Sequence, residues 1–177
     1  MFPSGPKSRL TIKWDLGQAF SRSRDSEVNK ILFLCTGNYY RSRYAEILFN
    51  SLAEQRGLEW TAESRGLQPD PRNMGPLSRH TIAALKRQNI CFDSHMRMPL
   101  PATDADFEAA QHVVALKEAE HRAMMERDFP QWTDRVEFWH VHDLDCAEPG
   151  EALPELERQM ERLVNRLAAD ALLQQEV

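Results

Sequence analysis

Apolar residues run without a break from Ile31 to Leu34 and end on Cys35. A continuous run of that length, closed by a turn signal, predicts a strand buried on both faces. Beyond Arg41 the period changes: Ala45, Leu48, Phe49 and Leu52 fall at helical spacing, and Gly57 supplies the stop. Leu58 to Ser64 alternates as a short second strand closed by Gly66. Pro69, Pro71 and Gly75 punctuate a loop, and Pro76 suits the first position of a short helix whose apolar side is Ile82 and Leu85. A second loop runs from Asp93 past Pro99 and Pro101 to Thr103, which has capping-box spacing to Asp106. His112 to Leu116 reads as a third strand, Lys117 to about Arg127 as a helix, and Val136 to Val141 as a fourth strand. The last helix, from Pro154 to about Leu173, carries the stripe Leu156, Met160, Leu163, Val164 and Leu167. Strands alternating with helices imply an α/β, three-layer fold, a four-stranded parallel sheet flanked by helices with right-handed crossovers. Ligands of such sheets bind beyond the carboxyl ends of the strands.

That rule draws attention to Cys35-Thr36-Gly37-Asn38-Tyr39-Tyr40-Arg41-Ser42, which joins the first strand to the first helix. A loop entering a helix N-terminus gathers backbone N–H groups into a concavity that suits an anion. The same field favours the thiolate form of Cys35. Arg41 can offer a planar fork to two phosphate oxygens. A nucleophile and an oxyanion cradle in one loop specify phosphoryl transfer through a cysteinyl-phosphate. Cys91 and Arg97 have the same spacing but no preceding apolar run, no intervening glycine and no following serine, so spacing alone is not the signal.

The chain of 177 residues, 42% hydrophobic, suits one domain with one sizeable core. A formal net charge of −5 argues against a general nucleic-acid partner. Three cysteines without paired spacing read as free thiols of a reducing compartment. No apolar run approaches membrane-spanning length and the first twenty residues lack a secretory apolar block, so no membrane partner is expected and the cytoplasm is the default. Residues 1–29 mix Pro3, Gly5, Pro6 and Gly17 with scattered Trp14, Leu16 and Phe20, and read as an N-terminal extension to a domain over residues 30–177.

The segment CTGNYYRS resembles the phosphate-binding loop of the low-molecular-weight protein tyrosine phosphatases, a family that also includes arsenate reductases and protein-arginine phosphatases. The resemblance follows the family's order from about Lys30 to the last helix. It implies that Cys35 is the nucleophile and Arg41 the phosphate clamp. It further implies that Asn38 braces the loop and that Ser42 donates a hydroxyl to the thiolate, with Thr36, Gly37, Tyr39 and Tyr40 completing the phosphate-binding loop. Two departures stand out: Tyr40 occupies the place of a second cysteine, and Arg43 that of a proline. A phenolate leaving group needs a proton, so a carboxylic acid is expected at the same sheet edge. His142-Asp143-Leu144-Asp145 follows the fourth strand directly. The family register selects Asp143, with Asp145 as the alternative and Leu144 in place of the usual proline.

His140, His142, Asp143, Asp145 and Cys146 have metal-like composition, but the mechanism needs neither metal nor cofactor. Of Tyr39 and Tyr40, one ring can stack on an aryl phosphate at the mouth while the other packs under the loop. Arg43, Arg65, Arg72 and Arg97 read as a solvated charged face, with an entrance for acidic phosphopeptides as the alternative. Trp60, Trp132, Met124 and Met125 read as core or rim packing. Cys146 is a spectator thiol or, alternatively, a redox partner of Cys35. The favoured reading is hydrolysis of phosphotyrosine in a protein or of a small aryl phosphate, with inorganic phosphate or another oxyanion able to occupy the site. Arsenate reduction using Cys91 and Cys146, phosphoarginine hydrolysis, which the family pairs with a small threonine at the Tyr39 position, and phosphate binding without turnover are the alternatives.

Overall fold

The computed structural model describes residues 28–73, 75–141 and 149–175. In chain order the elements are β1 (Asn29–Cys35), α1 (Arg41–Arg56), β2 (Trp60–Gly66), α2 (Arg79–Arg87), α3 (Asp104–Ala109), β3 (His112–Ala115), α4 (Glu118–Asp128), β4 (Val136–Phe138) and α5 (Pro149–Gln175). The strands form one parallel sheet in the order β2-β1-β3-β4. The chain leaves β1 toward β2 on one side and later returns to β3 on the other. The carboxyl end of β1 is therefore the switch point where such sheets bind ligands, and Cys35 is its last residue.

The unbroken apolar run of β1 follows from burial on both faces. Ile31 and Phe33 pack with Phe49 of α1 and Leu156, Met160 and Leu163 of α5. Leu32 and Leu34 point the other way, to Phe107, Val113 and Met125. Phe33 meets Phe49 and Trp139 at ring distances of 6.0 and 6.1 Å. On the second face Phe107 stacks on Trp132 at 5.6 Å, and Met124 and Trp60 are half-buried, as core-and-rim packing predicts. Gly57 closes α1 at φ 64°, where its N–H reaches Glu54 O at 3.2 Å and Leu58 N reaches Ala53 O at 3.0 Å. Thr103 and Asp106 form the reciprocal capping box of α3.

Four boundaries differ from the sequence expectation by two residues or more. β2 lies two residues later than the alternating stretch, because its register on β1 pairs Asn29 with Trp60 and Cys35 with Gly66. The second helix starts at Arg79 rather than Pro76: Ser78 is the cap, its hydroxyl accepting from Thr81 N at 3.1 Å. The last helix begins at Pro149 and carries Pro154 inside it. The fourth strand's ladder ends at Phe138, yet Trp139 N and Val141 N still bond to Ala115 O and Leu116 O at 2.8 and 2.9 Å. No described helix is long and apolar enough to cross a membrane.

Candidate active site

The loop from Cys35 to Ser42 is held from behind. Leu67 N reaches Cys35 O at 2.9 Å, Gln68 N reaches Thr36 O at 2.8 Å, Ser78 N reaches Tyr39 O at 3.0 Å and Thr81 Oγ1 reaches Tyr40 O at 3.2 Å. In a trans peptide the carbonyl and the following N–H point opposite ways, so these bonds turn the loop's N–H groups to its inner side. That is the arrangement of an anion cradle. Asn38 N approaches Cys35 Sγ at 3.2 Å, and Ser42 Oγ lies 2.9 Å from the same sulfur. Cys35 is buried at 3% exposure.

Asn38 sits at the hub, in the left-handed region at φ 49° and fully buried. Its Nδ2 donates to Ser42 Oγ at 3.1 Å and Ser64 Oγ at 2.8 Å. Its Oδ1 accepts from Arg97 Nη1 at 2.9 Å and Leu100 N at 3.0 Å. Four bonds hold a residue whose conformation is otherwise unfavourable. Gly66 belongs to the same arrangement. A Cβ there would stand 2.8 Å from Pro69 Cγ, 3.0 Å from Thr36 O and 3.1 Å from Asn38 Cβ.

Beneath the loop lies a buried charge cluster. Glu46 Oε2 accepts from Arg43 Nη1 at 2.6 Å, from Arg97 Nη2 at 2.9 Å and from the Ser64 hydroxyl. Arg43, at 0% exposure, also donates to His95 O. Burial by itself would raise the Glu46 carboxyl. The His95 ring, both guanidiniums and Ser64 outweigh it and hold the carboxyl at about 2.

Arg41 opens α1, buried at 2% exposure. Its Nη2 lies 3.7 Å from Glu120 Oε2, and Lys117 Nζ lies 3.4 Å from the same oxygen. Thr36 Oγ1 donates to Glu120 and lies 3.3 Å from His121 Nε2. His121 Nδ1 accepts from Lys117 N at 3.1 Å, which assigns the proton of the neutral ring to Nε2. Burial, then the Arg41 charge, push His121 down to about 3. Burial would raise Glu120, but the Thr36 hydroxyl and the Arg41 charge hold it below its ordinary value.

Above Cys35 opens a cavity of about 420 Å³, walled by the loop, by Asn73 and by Ser78, Arg79 and His80 at the start of α2. Tyr40 is buried with its ring edge-on to His80 at 6.0 Å, whereas Tyr39 is half-buried at the mouth. Both tyrosines line the cavity, and Tyr40 is the more deeply buried of the two. All the loop residues singled out from the sequence, Cys35 to Ser42, thus meet in one place. Asp143, with His142, Asp145 and Cys146, lies outside the described residues. Of that cluster His140 is described, and its Nε2 faces Glu118 at 3.2 Å.

The solvated-face reading of the arginines holds for Arg72 and needs correction for Arg43, Arg65 and Arg97. Arg43 is fully buried, Arg97 shares Glu46 with it, Arg65 pairs with Glu63 and Asp106 at 2.8 Å each, and Arg72 pairs with Asp70 at 2.8 Å. Arg43, Arg65 and Arg97 belong to buried or half-buried pairs, whereas Arg72 stands exposed in a surface pair with Asp70. Sequence reasoning missed Glu120 and His121, although they follow the carboxyl end of β3, where the sheet rule would have found them. Arg79 and His80 carried no local signal.

A parallel sheet whose switch point bears a buried cysteine, an anion cradle and a helix-opening arginine defines a cysteine-dependent phosphatase. The model of the low molecular weight phosphotyrosine protein phosphatase family matches residues 30–173, and the chain belongs to that family. A protein-arginine-phosphatase of Bacillus subtilis is 35% identical over 106 residues, covering 60% of this chain and 67% of that protein. The solution structure of a low molecular weight protein tyrosine phosphatase from Bacillus subtilis matches with TM-score 0.67 at 28% identity, covering 80% of this chain and 99% of that one. The crystal structure of a YwlE mutant from Bacillus subtilis matches with TM-score 0.65 at 26% identity, covering 81% and 98%. Other curated relatives are matched over 40 to 56% of their own length.

Proposed function

We propose that the protein hydrolyses phosphotyrosine in proteins through a cysteinyl-phosphate on Cys35, with residues 30–177 as the phosphatase domain and residues 1–29 as an extension to it. The observation that carries this reading is the sulfur on the cavity floor, 3.2 Å from Asn38 N and 2.9 Å from Ser42 Oγ. The thiolate attacks phosphorus, the bond to the phenolic oxygen breaks, and Asp143 delivers a proton to that oxygen. Asp143 then takes a proton from water, which attacks phosphorus, releasing inorganic phosphate and the thiolate. Arg41 and the N–H groups of Thr36 to Ser42 carry the charge of the transferring group, and the Ser42 hydroxyl steadies the thiolate as it departs.

Hydrolysis of p-nitrophenyl phosphate and of a phosphotyrosyl peptide tests the reading. Cys35→Ser should release no phosphate, and quenched wild-type protein should carry phosphate on Cys35 by mass spectrometry. Turnover by the serine variant at the wild-type rate would overturn it. Asp143→Asn should slow phenyl phosphate more than p-nitrophenyl phosphate, whose leaving group needs less protonation. A second reading, phosphoarginine as substrate, is favoured by the name of the Bacillus subtilis relative. The half-buried Tyr39 ring at the mouth, a flat partner for a phenyl group, favours the aryl ester. Parallel assay of phosphotyrosyl and phosphoarginyl peptides separates the two.

A further inference from the structure

We propose that Arg79, with its Nε–H donated to His80, forms a second anion subsite beside the phosphate cradle, selecting substrates with a carboxylate side chain next to the phosphorylated residue. The inference rests on the Cys35 loop being the site of a phosphorylated side chain, and it adds which neighbours that side chain keeps. The arginines around the site are sorted by their carboxylates. Arg43 and Arg97 share Glu46, Arg65 pairs with Glu63 and Asp106, and Arg72 pairs with Asp70. Arg79 differs. It is exposed, and among the described residues its side chain bonds to His80 alone, Nε to Nε2 at 3.3 Å, with no carboxylate in ion-pair reach.

The placement of this cation is built rather than incidental. Ser78 N and the Thr81 hydroxyl bond to Tyr39 O and Tyr40 O, and the Tyr40 ring meets His80 edge-on at 6.0 Å. The first turn of α2 is therefore tied to the cradle loop on both sides of Arg79 and keeps a set distance from it. Both Cys35 and Arg79 line the same cavity of about 420 Å³, so a ligand that fills it with phosphorus at the sulfur meets the guanidinium with its flank. In a chain of formal net charge −5, this basic wall marks the cavity for a second negative group.

The test is a binding comparison on the full chain carrying Cys35→Ser, which removes turnover. Two phosphotyrosyl peptides are titrated by calorimetry, identical except for aspartate or asparagine on both sides of the phosphotyrosine. The aspartate peptide should bind roughly fivefold tighter at low salt, and the preference should shrink in high salt. Adding Arg79→Ala should abolish the preference, and Arg79→Lys should retain part of it. Equal binding of the two peptides, failure of both to bind, or a preference unchanged by Arg79→Ala overturns the subsite. Wild-type protein assayed with the same peptides reads the catalytic assignment separately: absence of phosphate release there sinks the phosphatase reading, while the titration still decides the subsite.

Discussion

Replacing Glu46 by glutamine should destabilise the protein by about 3–5 kcal/mol at neutral pH, the usual cost of leaving a buried charge without its partner. The side chain keeps its shape, but Arg43 and Arg97 lose their shared carboxylate at 2.6 and 2.9 Å. An independent figure comes from the carboxyl itself. Burial pushes it up, the surrounding donors pull it further down, and the result is about 2 against an ordinary 4.5. At about 1.4 kcal/mol per pH unit, that ties about 3 kcal/mol of folding free energy to its charge. The folded value lies below the unfolded one, so this stability is complete above pH 4.5 and is lost as pH falls toward 2. Urea unfolding followed by tryptophan fluorescence at a series of pH values reads both effects. The wild-type and Glu46→Gln curves should lie far apart at pH 7 and converge on acidification. Adding Arg43→Met should recover much of the loss, because the fully buried cation goes with its counter-charge. A neutral-pH difference under about 1 kcal/mol, or curves that stay parallel into acid, would refute the account of this cluster.

Gly66→Ala should lower kcat/KM for an aryl phosphate by roughly a hundredfold, because its Cβ meets the Thr36 carbonyl at 3.0 Å and displaces the cradle; activity within twofold of wild type would contradict this. Glu120→Gln should tighten competitive inhibition by inorganic phosphate by roughly two- to fivefold, since a one-third-exposed carboxylate 3.7 Å from Arg41 no longer competes for the guanidinium. The His121 ring should show no proton-NMR titration above about pH 5, because burial and Arg41 hold it at about 3. Its folded value lies below the ordinary 6.5, so its contribution to stability is complete above that pH and fades as pH falls toward 3.

The parts of this protein that were legible in its sequence are those governed by short-range rules. β1 declares itself because both of its faces are buried, and the stripe of α5 declares itself because all five of its residues face one core. Cys35, Asn38, Arg41 and Ser42 share one loop, so a single segment carries the cradle's chemistry. The start of α2 was misplaced because Pro76 satisfies a positional preference, whereas Ser78 makes the hydrogen bond to Thr81 N that decides the start. Arg43 and Glu46 stand three apart on α1, a spacing that normally marks a solvated pair. They are buried because the segment around His95 folds over them from some fifty residues away, and nothing local in the sequence announces that contact. Arg79 is illegible for the same reason, since it reaches the site from the segment between β2 and β3, whereas Glu120 and His121 on α4 follow the carboxyl end of β3, where the sheet rule points.

Arg41 and Arg43 show how the first turn of α1 separates two tasks that the sequence spells with one residue type. Arg41 lines the cavity and leans on Glu120, a carboxylate that is one-third exposed and that an incoming oxyanion can displace. Arg43 turns to the opposite side, where Glu46 is buried and accepts from three donors on one oxygen. Two guanidiniums against one carboxylate leave a surplus of positive charge under the loop. Arg97 relays it to Asn38 Oδ1, and Asn38 in turn donates to Ser42, the hydroxyl beside the sulfur. The surplus favours an anion above the loop and reaches the Cys35 sulfur through oriented hydrogen bonds. The two arginines of this turn thus differ in how deeply their carboxylate is buried: the partner of Arg43 is 8% exposed and that of Arg41 33%, so only the second can be exchanged for an oxyanion from the cavity.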